Sequence, residues 1–294
     1  MMTNKNKQKV ANPKHFPPQH QPIHPGLEAL MVPKPKAEDP CYKGTDKLKG
    51  KVAIISSGDS GIGKAVAIAF AKEGADIVIA YLNEHIDARN TKGRIEEIGQ
   101  QCLLVPCDLG SEHNCHDVVD QTLKTFGKLD ILVNNCAEAH PKKSITEINA
   151  HQLYRVFQTN IFSYFFLTKA ALPYLKSGNT IINTTSEVAY NGQEDNIDYA
   201  ATKGAIVTFT RSLALQLVGQ NIRVNGIAPG PIWTPIIPSS FPAEQMTNFG
   251  TGTPIGRAGQ PYELALAYVY LASSDSSYVT GQVIHVNGGT MTSS

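Results

Sequence analysis

From Lys51 onward, short β-branched and apolar runs alternate with longer segments whose apolar positions recur at the helical period. The runs predict strands at Val52–Ser56, Asp76–Ala80, Leu103–Pro106, Ile131–Asn134, Thr180–Thr184, Arg223–Ile227 and Val283–Val286. Between them the longer segments predict helices over Ile62–Glu73, Glu84–Ile98, Ser111–Phe126, Ala150–Lys176, Asp198–Val218 and Pro261–Ala272. Gly74 and Gly127 stand where helices end, and Ser111 and Asp198 where helices begin. Strict alternation of this kind predicts one α/β domain: a doubly wound, Rossmann-type, seven-stranded parallel sheet covered by helices on both faces, spanning residues 50–294. Residues 1–49 differ. They are rich in Pro, Lys, His and Gln with no sustained period, and predict an extended N-terminal tail, either solvated along the body or serving as an interaction arm or oligomer contact.

Composition changes this picture little. The formal net charge of +1 gives no electrostatic case for nucleic acid or an anionic membrane as partner. No apolar run approaches the ~20 residues that span a bilayer. The N-terminus carries no apolar leader, and Cys41, Cys102, Cys107, Cys115 and Cys136 show no paired spacing, so a cytoplasmic, reducing location is expected. Cys107, His113, Cys115 and His116 cluster in sequence, but their spacing fits no zinc pattern and the segment reads as the start of an amphipathic helix; no metal site is expected.

Ligands of open α/β sheets bind beyond the carboxyl ends of the strands, which directs attention to the residues following each one. After the first strand comes Ser56-Ser57-Gly58-Asp59-Ser60-Gly61-Ile62-Gly63, then an apolar helix. Small residues there let the backbone approach a pyrophosphate, and the helix N-terminus supplies N–H groups and a positive dipole end. A plain tight turn is the alternative. Tyr81 ends the second strand, where an acid reads the ribose of NAD and a base the phosphate of NADP; neither stands there, which leaves NAD or NADP open with a lean to NAD. Asp108 and Leu109 follow the third strand and Asn135 the fourth, either as contacts to the adenosine and nicotinamide ends or as caps of their own turns.

Tyr199 and Lys203 lie four residues apart on one helix face. An ammonium about 5 Å from the phenol, at an effective dielectric of about 20, favours the phenolate by about 3 kcal/mol, or about two pKa units. That would suit Tyr199 to general acid/base work, with Lys203 also holding the nicotinamide ribose. Ser186 ends the preceding strand and could polarise a substrate oxygen. Asn160, amid Phe157, Ile161 and Phe165, is either a structural amide or the holder of a proton-relaying water. Pro229, Gly230 and Ile232 open a long loop over about 231–255 that includes Trp233, Phe241, Met246 and Phe249. Such a loop fits a substrate lid with an apolar wall, or an oligomer contact.

Taken together, these motifs resemble the short-chain dehydrogenase/reductase family over essentially all of residues 50–290. The glycine turn matches at Ser56 through Gly63, Asn-Asn-Ala-Gly at Asn134 through Ala137, and the family's Asn, Ser, Tyr-x-x-x-Lys and Pro-Gly at Asn160, Ser186, Tyr199–Lys203 and Pro229-Gly230. The Pro-rich leader, Gly-Pro-Ile-Trp-Thr-Pro and Gly-Arg-Ala-Gly-Gln-Pro look like the bacterial general-stress and glucose/ribitol dehydrogenase-like subgroup. The resemblance implies a cytoplasmic, tetrameric, NAD- or NADP-dependent enzyme that interconverts a small-molecule alcohol and its carbonyl. It further implies a catalytic set of Asn160, Ser186, Tyr199 and Lys203, and dinucleotide contacts from Ser57, Asp59, Ser60, Gly61, Ile62, Gly63, Tyr81, Asp108, Leu109, Asn135, Tyr199, Lys203, Pro229, Gly230 and Ile232. A nonenzymatic dinucleotide-binding sensor or scaffold is the competing expectation. Three departures stand out: Ser57 in place of the family's first glycine, Cys136 in place of Ala and Ala137 in place of Gly. A positive φ at Ser57 would cost about 1 kcal/mol or more.

Overall fold

A computed structural model describes residues 12–292. Seven strands, β1 (Val52–Ser56), β2 (Asp76–Tyr81), β3 (Cys102–Pro106), β4 (Ile131–Asn134), β5 (Thr180–Thr184), β6 (Arg223–Pro229) and β7 (Val283–Val286), form one parallel sheet in the order β3-β2-β1-β4-β5-β6-β7. The helices are α1 (Gly61–Lys72), α2 (His85–Ile98), α3 (Glu112–Phe126), α4 (Ala150–Phe157), α5 (Ser163–Ala171), α6 (Val188–Asn191), α7 (Ile197–Leu217), α8 (Ile236–Ser240) and α9 (Tyr262–Ala272). Strand order reverses between β1 and β4, so a crevice opens above their carboxyl ends.

The sheet is buried because both faces are covered. Ala53, Ile55, Ile77 and Ile79 pack with α1, α2 and α9, while Ile54, Val78, Leu132 and Ile181 pack with α3, α5 and α7. At the amino ends of the strands, Asp130 Oδ2 accepts from Val52 N at 2.9 Å and Oδ1 from Asn179 Nδ2 at 3.2 Å, tying β1 to the approach to β5. Gly74 and Gly127 take the positive φ that a helix exit needs (91° and 74°).

Two predicted helices differ in detail. The segment expected as one helix over 150–176 is interrupted between α4 and α5 by a π turn at Gln158–Phe162, then closes in a 3-10 turn containing Pro173. Asp198 is not the N-cap of α7; Asn196 is, and Asp198 sits in the first turn, where Oδ1 accepts from Tyr199 N and Oδ2 from Gln152 Nε2, both at 2.9 Å.

The largest difference lies in the N-terminal segment, of which residues 1–11 fall outside the described residues. Residues 12–49 are extended but seated on the body: Phe16, Met31 and Leu48 are buried. Phe16 stacks on Trp233 with ring centroids 3.8 Å apart, and Trp233 Nε1 donates to Pro33 O at 2.9 Å. Trp233 is therefore fully buried in a satellite core with Met31, Met246 and Ala258, and is not the apolar wall of a substrate site. The 231–255 stretch carries α8 and a 3-10 turn at Ala243–Asn248, so it is an ordered flap pinned from outside by the N-terminal segment.

Candidate active site

A cavity of about 480 Å³ runs along the carboxyl ends of the strands. Among the residues singled out in the sequence, Ser57, Asp59, Ser60, Gly61, Ile62, Tyr81, Asp108, Leu109, Asn135, Ser186, Tyr199, Lys203, Pro229, Gly230 and Ile232 line it. Gly63 and Asn160 do not. Gly63 serves the turn by its lack of a side chain, since a Cβ would lie 1.9 Å from Ser57 O.

At the β1–α1 turn, Ser57 adopts φ 48°, so serine bears the left-handed strain that glycine would avoid, on the order of 1 kcal/mol. Its N–H bonds Ala80 O at 2.7 Å, which fixes the turn against β2. Asn135 spans the same junction, donating through Nδ2 to Ser56 O at 3.2 Å and accepting from Thr184 Oγ1 at 3.1 Å. Asp59 is buried, and neither carboxylate oxygen has a hydrogen-bond partner of good geometry. Burial, then the nearby Glu84 carboxyl, pushes its pKa up to about 8 against the pull of the Ser60 hydroxyl. Asp108 is already committed: Oδ1 accepts from Gly110 N at 2.8 Å and Oδ2 from Arg155 Nη1 at 2.6 Å.

At the other end, α7 brings Tyr199 and Lys203 beneath Ser186. Lys203 is fully buried, donates from Nζ to Thr184 O at 3.1 Å and lies 5.3 Å from the Tyr199 ring centroid. Tyr199 is half-buried where it opens on the cavity, which Ser186 also lines. Burial works against the expected fall in the tyrosine pKa. Burial pushes Tyr199 up to about 12, with the Ser186 hydroxyl opposing, and burial pulls Lys203 down to about 8. Lys203 is itself desolvated, and desolvation outweighs the attraction counted from charge alone.

Asn160 is fully buried in the π turn, and its side chain makes three hydrogen bonds to the protein. Oδ1 accepts from Glu138 N at 2.8 Å, and Nδ2 donates to Glu138 O at 2.9 Å and to Thr202 Oγ1 at 3.2 Å. The amide thus locks the loop after β4 to α7, with both Nδ2 hydrogens committed to the protein. Cys136 is buried with Sγ beside Ser163 Oγ at 3.2 Å, and burial raises its pKa, so it behaves as a small hydrophobe. Cys115 is buried beneath α3 while His113 on the same helix pairs with Asp117 at the surface; the two do not converge.

Several lining residues carried no sequence signal. Arg155 bridges Asp108 and Glu138 (3.1 Å to the latter), and Gln193 and Asn196 line the cavity beside Val188, as do Phe241 and Phe249 from the loop expected to supply an apolar wall. His24, Pro25 and Gly26 reach it from the N-terminal segment. Asn196 is buried one turn before Tyr199 with Oδ1 unpartnered, and Thr159 Oγ1 is likewise orphaned on the lining. The orphaned polar atoms of Asp59 at one end and of Thr159 and Asn196 at the other fit an elongated polar ligand, and the start of α1 at Gly61 and Ile62 on the lining fits an anionic centre, as a dinucleotide has.

The family profile described as Enoyl-(Acyl carrier protein) reductase matches residues 57–291. The chain belongs to the short-chain dehydrogenase/reductase family. It is 57% identical to General stress protein 39 of Bacillus subtilis, with 94% of this chain and 97% of that protein covered. To the glucose and ribitol dehydrogenase of Daucus carota it is 50% identical (95% and 98% covered), and to the chloroplastic NADPH-dependent aldehyde reductase 1 of Arabidopsis thaliana 51% (92% and 96%). Among solved structures, a short-chain dehydrogenase of Burkholderia cenocepacia in complex with NADP superposes with a TM-score of 0.77 at 26% identity, covering 83% of this chain and 98% of that one. A 3-ketoacyl-(acyl-carrier-protein) reductase of Brucella melitensis complexed with NADH gives 0.74 at 32%, covering 82% and 98%. The chain is an oxidoreductase of this family, with relatives in the general-stress and glucose/ribitol dehydrogenase group.

Proposed function

We propose that the protein transfers a hydride between a nicotinamide dinucleotide and a small alcohol or carbonyl compound, such as a sugar, polyol or aldehyde. The convergence of Ser186, Tyr199 and Lys203 at one end of a cavity whose other end is a phosphate-fitting turn carries this reading. When bound, the nicotinamide gives or takes the hydride. Tyr199 exchanges the proton with the substrate oxygen, and Ser186, on the same cavity lining, steadies that oxygen as charge develops on it. Lys203 holds the nicotinamide ribose and passes protons, while Asn160 positions α7 against the loop after β4. Residues 231–255 close over the substrate, with Phe241 and Phe249 as the apolar wall in place of Trp233.

The proposal leans to NAD(H). The two cationic side chains in the lining are Lys203, at the chemical end, and Arg155, committed to Asp108 and Glu138; neither is free to meet a 2′-phosphate. The name of the Arabidopsis relative points the other way for that protein, which makes direct titration the deciding measurement. We also infer a homotetramer, and a cytoplasmic location in keeping with the five unpaired thiols.

The test is titration with NADH and NADPH, then a panel of sugars, polyols and aldehydes followed by absorbance of the reduced nicotinamide. Replacing Tyr199 by Phe is expected to lower kcat by roughly 10²–10⁴-fold while dinucleotide binding persists. Turnover unchanged in Tyr199→Phe would overturn the role given to the tyrosine, and dinucleotide binding without turnover of any compound would favour a sensor.

A further inference from the structure

Helix α1, whose start lines the cavity, lacks a side-chain cap from its own N-cap residue. Ser60 occupies the N-cap position of α1, yet its side chain caps nothing. The cap comes instead from Glu28, more than 30 residues upstream and outside the family-matched region of 57–291. Its Oε2 accepts from Gly61 N at 2.9 Å and its Oε1 from Lys64 Nζ at 2.6 Å, and the side chain is buried. The backbone of the same segment is held from the other side. Asp87 of α2 accepts from Glu28 N at 2.6 Å through Oδ2 and from Ala29 N at 3.0 Å through Oδ1.

The segment therefore bridges α1 and α2, the two helices that follow β1 and β2, and runs on from His24, Pro25 and Gly26 in the cavity lining. Among the described residues no backbone or side-chain acceptor takes the N–H of Ile62, which lines the cavity next to the capped Gly61. A helix start offers several free N–H groups, and an anion there competes for all of them unless one is satisfied separately. Glu28 satisfies the first, with its charge balanced by Lys64, and leaves the next to the cavity.

We infer that Glu28 is a positioning residue for the dinucleotide: from the N-terminal segment it caps α1, sets the β1–α1 turn against the β2–α2 loop, and presents the Ile62 N–H to the pyrophosphate. This rests on the dinucleotide reading of the cavity. Glu28 lies before residue 57, where the family profile begins to match, so the device is supplied from outside the matched region.

The experiment is fluorescence titration of the full chain with NADH and NADPH, for wild type, Glu28→Ala and Glu28→Gln, with circular dichroism to confirm folding. Glu28→Ala is expected to weaken dinucleotide binding roughly five- to tenfold, and in turnover to raise KM for the dinucleotide rather than lower kcat. Glu28→Gln keeps an acceptor for Gly61 and restores affinity to within about twofold. A role confined to stability would lower the melting temperature in Glu28→Ala and leave the dissociation constant of the folded protein untouched; that result overturns the inference and spares the reading of the cavity. A wild-type chain that binds neither dinucleotide overturns both.

Discussion

At the residue scale, the proposed chemistry turns on the proton affinity of two side chains. Burial pushes Tyr199 up to about 12, with Ser186 pulling down and Glu187 pushing further up, and burial pulls Lys203 down to about 8. Below its pKa the phenolate fraction of Tyr199 grows about tenfold per pH unit. Alcohol oxidation needs that phenolate as proton acceptor; carbonyl reduction needs the phenol, which predominates throughout. Above about pH 8 Lys203 loses its charge and with it part of the support for the phenolate. The expected profile for oxidation climbs between about pH 6 and about pH 8 with a slope near one on a logarithmic scale, then bends, while reduction does not climb. Rates measured in both directions check this, and an oxidation rate independent of pH would contradict it. Spacing in the sequence was enough to place Tyr199 and Lys203 together. It could not yield their proton affinities, because the burial that sets them is supplied by elements distant in the chain.

At the element scale, strands and most helices were legible because each buries a periodic face against its neighbour. What escaped was structure made by single contacts. The π turn at Gln158–Phe162 coincides with Asn160 bonding the backbone of Glu138, and nothing in local periodicity marks such a bond. The N-terminal segment buries Phe16, Met31 and Leu48 at irregular spacing, so it read as a tail although it is anchored. Trp233 shows the consequence: it was placed in the substrate wall by composition, whereas the segment captures it on the far side of the flap. The stack of Phe16 on Trp233 gives a direct test, since Trp233 is the single tryptophan of the chain. Phe16→Ala removes a buried ring, a change that costs about 3–5 kcal/mol in a packed core. The expected outcome is a red shift of tryptophan emission and a raised KM for the carbonyl substrate, with the dinucleotide dissociation constant held. Unshifted emission would mean that the flap is not pinned by this contact.

At the scale of the whole molecule, apolar surface is left over on both sides of the sheet. Helix α5 presents Phe165, whose ring lies 4.4 Å from that of Phe209 on α7, and α7 exposes Leu215. On the opposite layer α9 exposes Leu266 and Tyr270, and Tyr278 stands wholly exposed just before β7. These exposed side chains lie on two separate sides of the molecule, and two distinct self-complementary contacts, one through each, would generate the proposed dihedral tetramer. The expected sedimentation mass is four chains. Charging one face, with Phe165→Glu and Leu215→Glu together, should yield dimers joined through the α9 face; charging the other, with Tyr278→Glu and Leu266→Glu, should yield dimers joined through α5 and α7. Both substitutions lie on exposed positions, so the fold should survive them. A wild-type monomer, or a tetramer indifferent to either pair, would assign these faces to something other than self-association. Helix α7, which carries Tyr199 and Lys203, lies on one of the faces, so on the proposed mechanism dimers that lose the α5–α7 contact should also lose activity more than dimers that keep it.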